Sequence, residues 1–390
     1  MVSREAAGEL AAFRSELASW LDEHDAELRL GHVGHPTLDE DLAQFRHVKR
    51  ALFDAGWGRH GWPAAVGGLD GCPMLRALVG EEIAMRDLAE PGMWSMIEVL
   101  APTVIAFGSP QLIAEMIPPV LRGDETWCQG FSEPDTGSDL ASLSCRATAV
   151  EGGWSVSGQK VWTSFAQFAE RCVLLTRTGE TGSAHRGITA MFVDVDSPGI
   201  TLRPIEIQNG TLEFCEVFFD EVFVPNGRVL GSVGQGWQVA MDVLPYERST
   251  AFWHRGAYLH HRADQLIATV AGTAGADAGD TDRARLLGEA FQALVAFRCR
   301  SRATQHRLAA GAQLGAETSI DKILIATAEQ ALFDAARDVL PGVVEFDDHV
   351  EAQRLRWELL YSRAATIYGG TAEIQRNIVA RRLLELGSES

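Results

Sequence analysis

Apolar positions in the first third of the chain recur at three- and four-residue intervals. Leu10, Phe13, Leu17, Trp20 and Leu21 form one stripe between charged residues; Leu42, Phe45, Val48 and Leu52 form a second within 39–55. This spacing puts apolar groups on one side of a helix. It recurs in 74–85, 96–107 and 110–121, so residues 1–121 read as an N-terminal helical domain. From 122 to 235 the period falls to two. The runs 145–150 and 154–156 flank Glu151-Gly152-Gly153, a hairpin signal. The runs 171–176 and 188–195 are apolar and strand-like, while 212–217 and 222–224 alternate around Asp220-Glu221. Pro198-Gly199 and Pro225-Asn226-Gly227 punctuate them, which predicts a middle β-domain over 122–235. After Gly236 the helical period returns in 237–270, 281–310, 318–339, 349–368 and 371–386, with a Gly/Ala/Asp loop over 272–280. Five such runs predict a helical bundle over 236–390. The predicted class is α+β: helices, a compact β-domain, then helices.

Composition narrows the field of partners. With 390 residues the chain can hold two or three cores, and 46% hydrophobic content is ordinary for a globular protein. Fifty-three acidic residues and a net charge of -19 argue against nucleic acid or an anionic membrane as the main partner. Cys72, Cys128, Cys145, Cys172, Cys215 and Cys299 form no CxxC pair and no metal-like cluster. They read as reduced thiols of a cytoplasmic protein. No transmembrane run and no signal peptide is visible. Asn209-Gly-Thr211 matches a glycosylation pattern, but without a secretory signal it reads as an Asn-Gly hairpin turn. Gly56-Trp-Gly-Arg-His-Gly61 formally matches GxGxxG. It follows an amphipathic helix instead of a strand, and Trp62-Pro63 stands where a helix should begin, so it is not a dinucleotide fingerprint.

Three stretches carry candidate chemistry. Trp127-Cys-Gln-Gly-Phe-Ser-Glu-Pro-Asp-Thr-Gly-Ser-Asp139 bends at Pro134, relaxes at Gly137, and offers the hydroxyls of Ser132, Thr136 and Ser138 beside backbone amides. Such a loop suits an anionic, hydrogen-bonding ligand, although Ser/Asp/Gly turns are commonly plain surface. The others are Gly158-Gln-Lys-Val-Trp-Thr-Ser164 and Ile367-Tyr-Gly-Gly-Thr-Ala-Glu-Ile-Gln-Arg376. Together, in this order, they resemble the acyl-CoA dehydrogenase family, flavoenzymes that desaturate acyl thioesters. Gly61-Trp-Pro-Ala-Ala-Val-Gly-Gly68 resembles that family's Trp-Pro…Gly-Gly loop.

The resemblance implies FAD as cofactor. Phe131 and Ser132 would line the flavin ring edge, with backbone N–H near Ser132 on its pyrimidine end. Gly137 and Ser138 would lie near the pyrophosphate and the thioester ligand. Trp162 would pack on the ring, and Thr163 and Ser164 would approach N5; Ser164 keeps a hydroxyl where the family usually has Thr. Taken alone, Trp162 would read as a core aromatic. Gly370, Thr371 and Glu373 open a helix that the family turns toward the pyrophosphate or adenosine, and Thr371 can cap it.

Desaturation needs a base for the α-proton while a β-hydride goes to flavin N5. Many family members carry a Glu just before Gly-Thr; here that position is Gly369. A branch resembling the isovaleryl-type and actinobacterial steroid side-chain enzymes places its Glu on an earlier helix before an Arg. This chain has Pro245-Tyr-Glu-Arg248 there, which makes Glu247 the candidate base. A Glu-Arg pair by itself reads as a solvated helix face; its coincidence with Gly369 favours the base. Arg248 would order the site, Tyr368 would touch substrate, and Gly369 would leave room for branched, ring-bearing or otherwise bulky acyl groups.

The family's homotetrameric members also hold adenosine through an Arg near Thr-Phe-Gly and a Gln before a Gly-Gly-x-Gly loop. Neither is found; the second region reads Asp338-Val-Leu-Pro-Gly-Val-Val-Glu-Phe346. This implies either a homo-oligomer or a heterotetramer whose partner supplies adenosine contacts. An electron-transferring flavoprotein is the implied electron acceptor. Two other readings stay open: a non-catalytic or cofactor-sharing subunit of a heteromeric dehydrogenase, and a flavin-dependent hydroxylase of the same fold. A DNA-associated flavoprotein of this fold is disfavoured by the charge.

Overall fold

A computed structural model describes residues 4–31, 36–180, 182–272 and 281–387. Most of the 272–280 loop expectation therefore lies outside the described residues. The chain forms α1 (Arg4–Leu28), α2 (Leu38–Asp54), α3 (Met74–Met85), α4 (Pro91–Phe107) and α5 (Pro110–Arg122). There follow β1 (Trp127–Gly130), β2 (Arg146–Val150), β3 (Gly153–Ser164), β4 (Arg171–Arg177), β5 (Ile188–Asp194), β6 (Ile200–Ile205), β7 (Phe214–Pro225) and β8 (Val229–Leu230). Then come α6 (Gly236–Tyr246), α7 (Phe252–Gly272), α8 (Thr281–Ala309), α9 (Thr318–Val339), α10 (Val343–Phe346), α11 (Val350–Tyr361) and α12 (Ala372–Ile378). The predicted order of helices, sheet and helices is the observed one. The chain divides into two compact units, one of Phe45–Gly71 and Met93–Glu247, the other of Met1–Gln44, Cys72–Gly92 and Arg248–Ser390.

The first unit is built on an eight-stranded sheet in the order β6-β7-β3-β2-β4-β5-β8, with β1 parallel to β4. Its core buries Cys128, Cys145, Val156, Cys172, Leu174, Met191, Cys215, Val217 and Val222. All six cysteines are free, and these four behave as small apolar groups. The Asn-Gly signal is a turn between antiparallel β6 and β7, with Gly210 at φ 83 and its N–H donating to the Ile207 carbonyl at 2.8 Å. Residues 214–217 of the first run and 222–224 of the second, read as separate runs, lie on one strand, β7. Glu221 at φ 52 kinks it without ending the pairing with β3.

The loop at 56–68 has α2 before it and two single 3₁₀ turns, Trp57–Arg59 and Ala64–Val66, within it. No strand–turn–helix phosphate cradle is formed there. Trp62 is buried, and a Cβ at Gly68 would lie 2.0 Å from its carbonyl oxygen, which requires glycine.

The second unit is helical. Leu259 and Leu266 of α7, Leu294 and Phe297 of α8, Ile325, Leu332 and Phe333 of α9, and Leu355 of α11 make its core. Three predicted helices differ in detail. The 237–270 run is broken by a π-helical turn at Glu247–Ala251, two residues after Pro245. Proline removes the hydrogen bond to the carbonyl four residues earlier, so it weakens α6 ahead of this turn. The 349–368 run ends its α-helix at Tyr361 and continues as 3₁₀ to Thr366. The 371–386 run is α-helical only to Ile378, followed by a π turn at Val379–Leu383. Among the described residues no helix is long and apolar enough to cross a membrane.

Candidate active site

In the sheet unit the opening loop and the Trp-Thr-Ser stretch are brought together. β1 ends at Gly130, and the chain turns so that Glu133 and Thr136 exchange backbone hydrogen bonds of 2.8 and 3.1 Å. The Val161 N–H donates to the Ser132 carbonyl at 2.9 Å, and Lys160 Nζ donates to the Phe131 carbonyl at 3.1 Å. Phe131 is buried, Ser132 half-buried, and Gly137 and Ser138 are exposed beyond the turn. On β3 the ladder to β7 slips between Lys160 and Thr163. At the slip Trp162 has a left-handed conformation at φ 58, the residue is 56% exposed, and its ring lies edge-on to Phe214 at 5.9 Å. A bulky residue rarely holds such a backbone unless its surroundings require it. Thr163 is fully buried and Ser164 half-buried.

Among the described residues, four buried polar atoms of these two stretches have no hydrogen-bond partner: Nε1 of Trp127, Oε1 of Gln129, Oγ1 of Thr136 and Oγ1 of Thr163. Buried polar groups are normally satisfied, so such atoms fit a polar ligand that contacts them. With the presented Trp162 ring as an aromatic wall, this mix of donors and acceptors suits a flat heteroaromatic such as the isoalloxazine of FAD.

In the helical unit the second group is assembled. Thr371 caps α12, its Oγ1 accepting from the Ile374 N–H at 3.3 Å. Gly369 and Gly370 have φ of 62 and 86, and a Cβ on Gly370 would lie 2.4 Å from Gln375 Nε2. That amide donates to the Gly369 carbonyl at 2.9 Å, from a fully buried side chain. Arg248 Nη2 lies 3.6 Å from the same Cβ position, so Arg248 and the Gly-Gly turn are neighbours. Glu373 is exposed, 4.0 Å from Arg376. The Tyr368 hydroxyl donates to Glu329 at 3.3 Å; burial first, and then the Glu329 charge, hold its pKa well above the ordinary phenol value. Glu329 is itself paired with Arg255 at 2.7 Å. Tyr368 is thus anchored from beneath by a buried ion pair that the sequence did not announce.

Glu247 opens the π turn, immediately before Arg248, and is half-buried. Its side chain makes no hydrogen bond or ion pair among the described residues. Such turns are frequent at functional sites because they re-aim side chains out of helical register.

Sequence reasoning missed the buried pair beneath the loop. Lys160 is fully buried and Glu133 nearly so, at 2.8 Å. Glu133 also accepts from the N–H (2.7 Å) and hydroxyl (2.8 Å) of Ser144 and from the Cys145 N–H (2.9 Å). Burial alone would raise its carboxyl pKa; the Lys160 charge and these hydrogen bonds outweigh burial and hold it below the ordinary value. The available signal was Lys160 itself, two positions beyond Gly158 and four beyond Val156 on a strand of period two, hence on the inward side.

Models of the acyl-CoA dehydrogenase N-terminal, middle and C-terminal domains match residues 9–124, 128–222 and 234–384. The chain belongs to the acyl-CoA dehydrogenase family and is an enzyme of that class. It is 36% identical to acyl-CoA dehydrogenase IpdE1 of Mycobacterium tuberculosis, over 97% of this chain and 98% of that one. Among solved structures it is similar to the Tcur3481-Tcur3483 steroid acyl-CoA dehydrogenase, with TM-score 0.83 and 23% identity over 98% of each chain. It is also similar to the ChsE4-ChsE5 complex of Mycobacterium tuberculosis, with TM-score 0.81 and 22% identity over 100% of this chain and 99% of that one.

Proposed function

We propose that this acyl-CoA dehydrogenase binds FAD and desaturates the Cα–Cβ bond of an acyl thioester, with Glu247 removing the α-proton. The observation that carries this is the π turn at Glu247–Ala251. It presents a half-buried, unengaged carboxylate one residue before an Arg that neighbours a Gly-Gly turn where the alternative base is missing. Bound FAD supplies the hydride acceptor. Phe131, Ser132, Trp162, Thr163 and Ser164 seat the ring, and Gly370, Thr371 and Glu373 face its phosphate or adenosine end. Arg248 orders the Gly-Gly turn, Ser138 meets the thioester, and Tyr368 holds the wall beside Gly369. With no side chain at 369, the reading favours branched or ring-bearing acyl groups. Anaerobic mixing of the flavin-loaded protein with a panel of acyl-CoA thioesters is expected to bleach the flavin, fastest with bulky chains, and to yield the 2-enoyl product. No bleaching by any thioester, together with oxygen-consuming hydroxylation, would replace this reading with the hydroxylase.

A cofactor-sharing heteromer is favoured by one further observation. The stretch 338–346, where the family's adenosine-binding Gly loop is missing, forms the end of α9 and the short α10, with Phe346 82% exposed. The chain purified alone is expected to carry less than one FAD per protomer, rising to full occupancy with a homologous partner subunit. Full occupancy in the lone chain would remove the need for the partner. Reduced flavin would pass its electrons to an electron-transferring flavoprotein.

A further inference from the structure

The ligand-facing loop is held at its start by Lys160 and Glu133; its far end is held by a different cation. Arg177, the last residue of β4, is 8% exposed. Its Nη2 donates to the Ala141 carbonyl at 2.6 Å and its Nε to the Leu143 carbonyl at 3.1 Å. Its Nη1 donates to the Ala184 carbonyl at 2.6 Å and the Ser183 hydroxyl at 3.4 Å. No carboxylate forms an ion pair with it among the described residues. The nearby Glu133 is already engaged by Lys160, Ser144 and Cys145.

A buried cation satisfied only by neutral oxygens carries a desolvation penalty, and surrounding structure must offset it. The guanidinium offers five donors in a fixed planar fork, which can hold two carbonyls of one turn and a third on a separate loop. The turn so held is closed by Ser142, whose N–H donates to the Asp139 carbonyl at 3.1 Å and whose hydroxyl donates to the Asp139 carboxylate at 2.5 Å. It directly follows the exposed Gly137 and Ser138.

We propose that Arg177 is a positioning residue for the backbone of 137–143: its fork fixes this segment in a ligand-ready shape before the ligand arrives, and its unpaired charge favours an anionic ligand there. The identity of that ligand as an acyl thioester rests on the function proposed above.

Arg177→Lys keeps the charge and loses the fork, whereas Arg177→Met loses both. In the flavin-loaded protein without thioester, either substitution is expected to speed amide hydrogen exchange across 137–143 by about tenfold or more, the scale of one lost hydrogen bond to a charged group. Coenzyme A, used as the anionic probe in calorimetry, should bind about tenfold more weakly to Arg177→Lys, the scale of one lost hydrogen bond to a charged group, and more weakly still to Arg177→Met. Flavin absorbance should stay near wild type, while the thermal midpoint should fall, further for Arg177→Met, because the Ala141, Leu143 and Ala184 carbonyls lose their donor; amides of the sheet away from 137–143 should exchange as in wild type. Unchanged exchange and unchanged coenzyme A affinity in folded variants would overturn the proposal. Should the variants not fold, wild type decides: slow exchange across 137–143 without coenzyme A supports the proposal, and protection that arises only on its addition overturns it. The exchange measurement needs no turnover, so failure of every thioester to bleach the flavin would sink the functional reading and leave this test standing.

Discussion

Glu247→Gln should slow anaerobic flavin bleaching by an acyl thioester roughly a thousandfold, within the ~10²–10⁴ contribution of a positioned general base. The amide matches the carboxylate in size and polarity but cannot accept the α-proton at useful strength. Because the Glu247 side chain engages no other described residue, its replacement should leave folding and flavin content unchanged. Thioester binding, followed by the spectral shift it causes before reduction, should persist with little loss of affinity. That split between retained binding and lost chemistry separates a base from a residue that shapes the pocket. A bleaching rate equal to wild type would remove Glu247 from the chemistry. Slowing matched by an equal loss of affinity would make it a binding residue instead.

Much of this site was legible because its signals are local. Thr371 could be named a cap from its place before an apolar helical run, and the cap is formed. The Asn209-Gly210 turn needs one residue at positive φ, and glycine supplies it. Gly369 stood out because a side chain was missing where a family resemblance required one. What escaped the reading depends on long-range packing. β1 is four residues long and β8 two, too short for a period to show. β6 contains Arg203 and Pro204, which argue against a strand; it lies at the sheet edge, where proline costs no ladder bond. The π turn leaves no mark in the apolar period, which runs through 247–251 without a break. Glu133, in a Glu-Pro turn, reads as solvated surface, and only the pairing of β3 beneath the loop makes it an interior anion.

That interior anion makes the second large effect predictable. Glu133→Ala leaves Lys160 fully buried with its ammonium bonded only to the Phe131 carbonyl, and removes the acceptor of the Ser144 and Cys145 amides. Removing one partner of a buried pair costs about 3–5 kcal/mol, since the other charge stays desolvated. Denaturant midpoints of the flavin-loaded protein should fall accordingly. Glu133→Gln should fall less, because its one carbonyl oxygen still accepts on the side of Lys160 and the Cys145 amide, although its NH2 then faces the Ser144 amide that bonds the other carboxylate oxygen. The effect should also carry a pH signature. The folded-state pKa of Glu133 is lowered from the ordinary 4.5. Its stabilising contribution is therefore fully present above that value and is lost as pH falls through the lowered one. The gap between wild type and Glu133→Ala should be constant near neutrality and narrow only below about 4.5, where wild type protonates its own carboxyl and strands Lys160 as the substitution does. A gap that stays constant down to pH 3 would mean that the carboxylate charge adds nothing to the loop's stability. In that case Lys160 would be held by packing and by the Phe131 carbonyl alone.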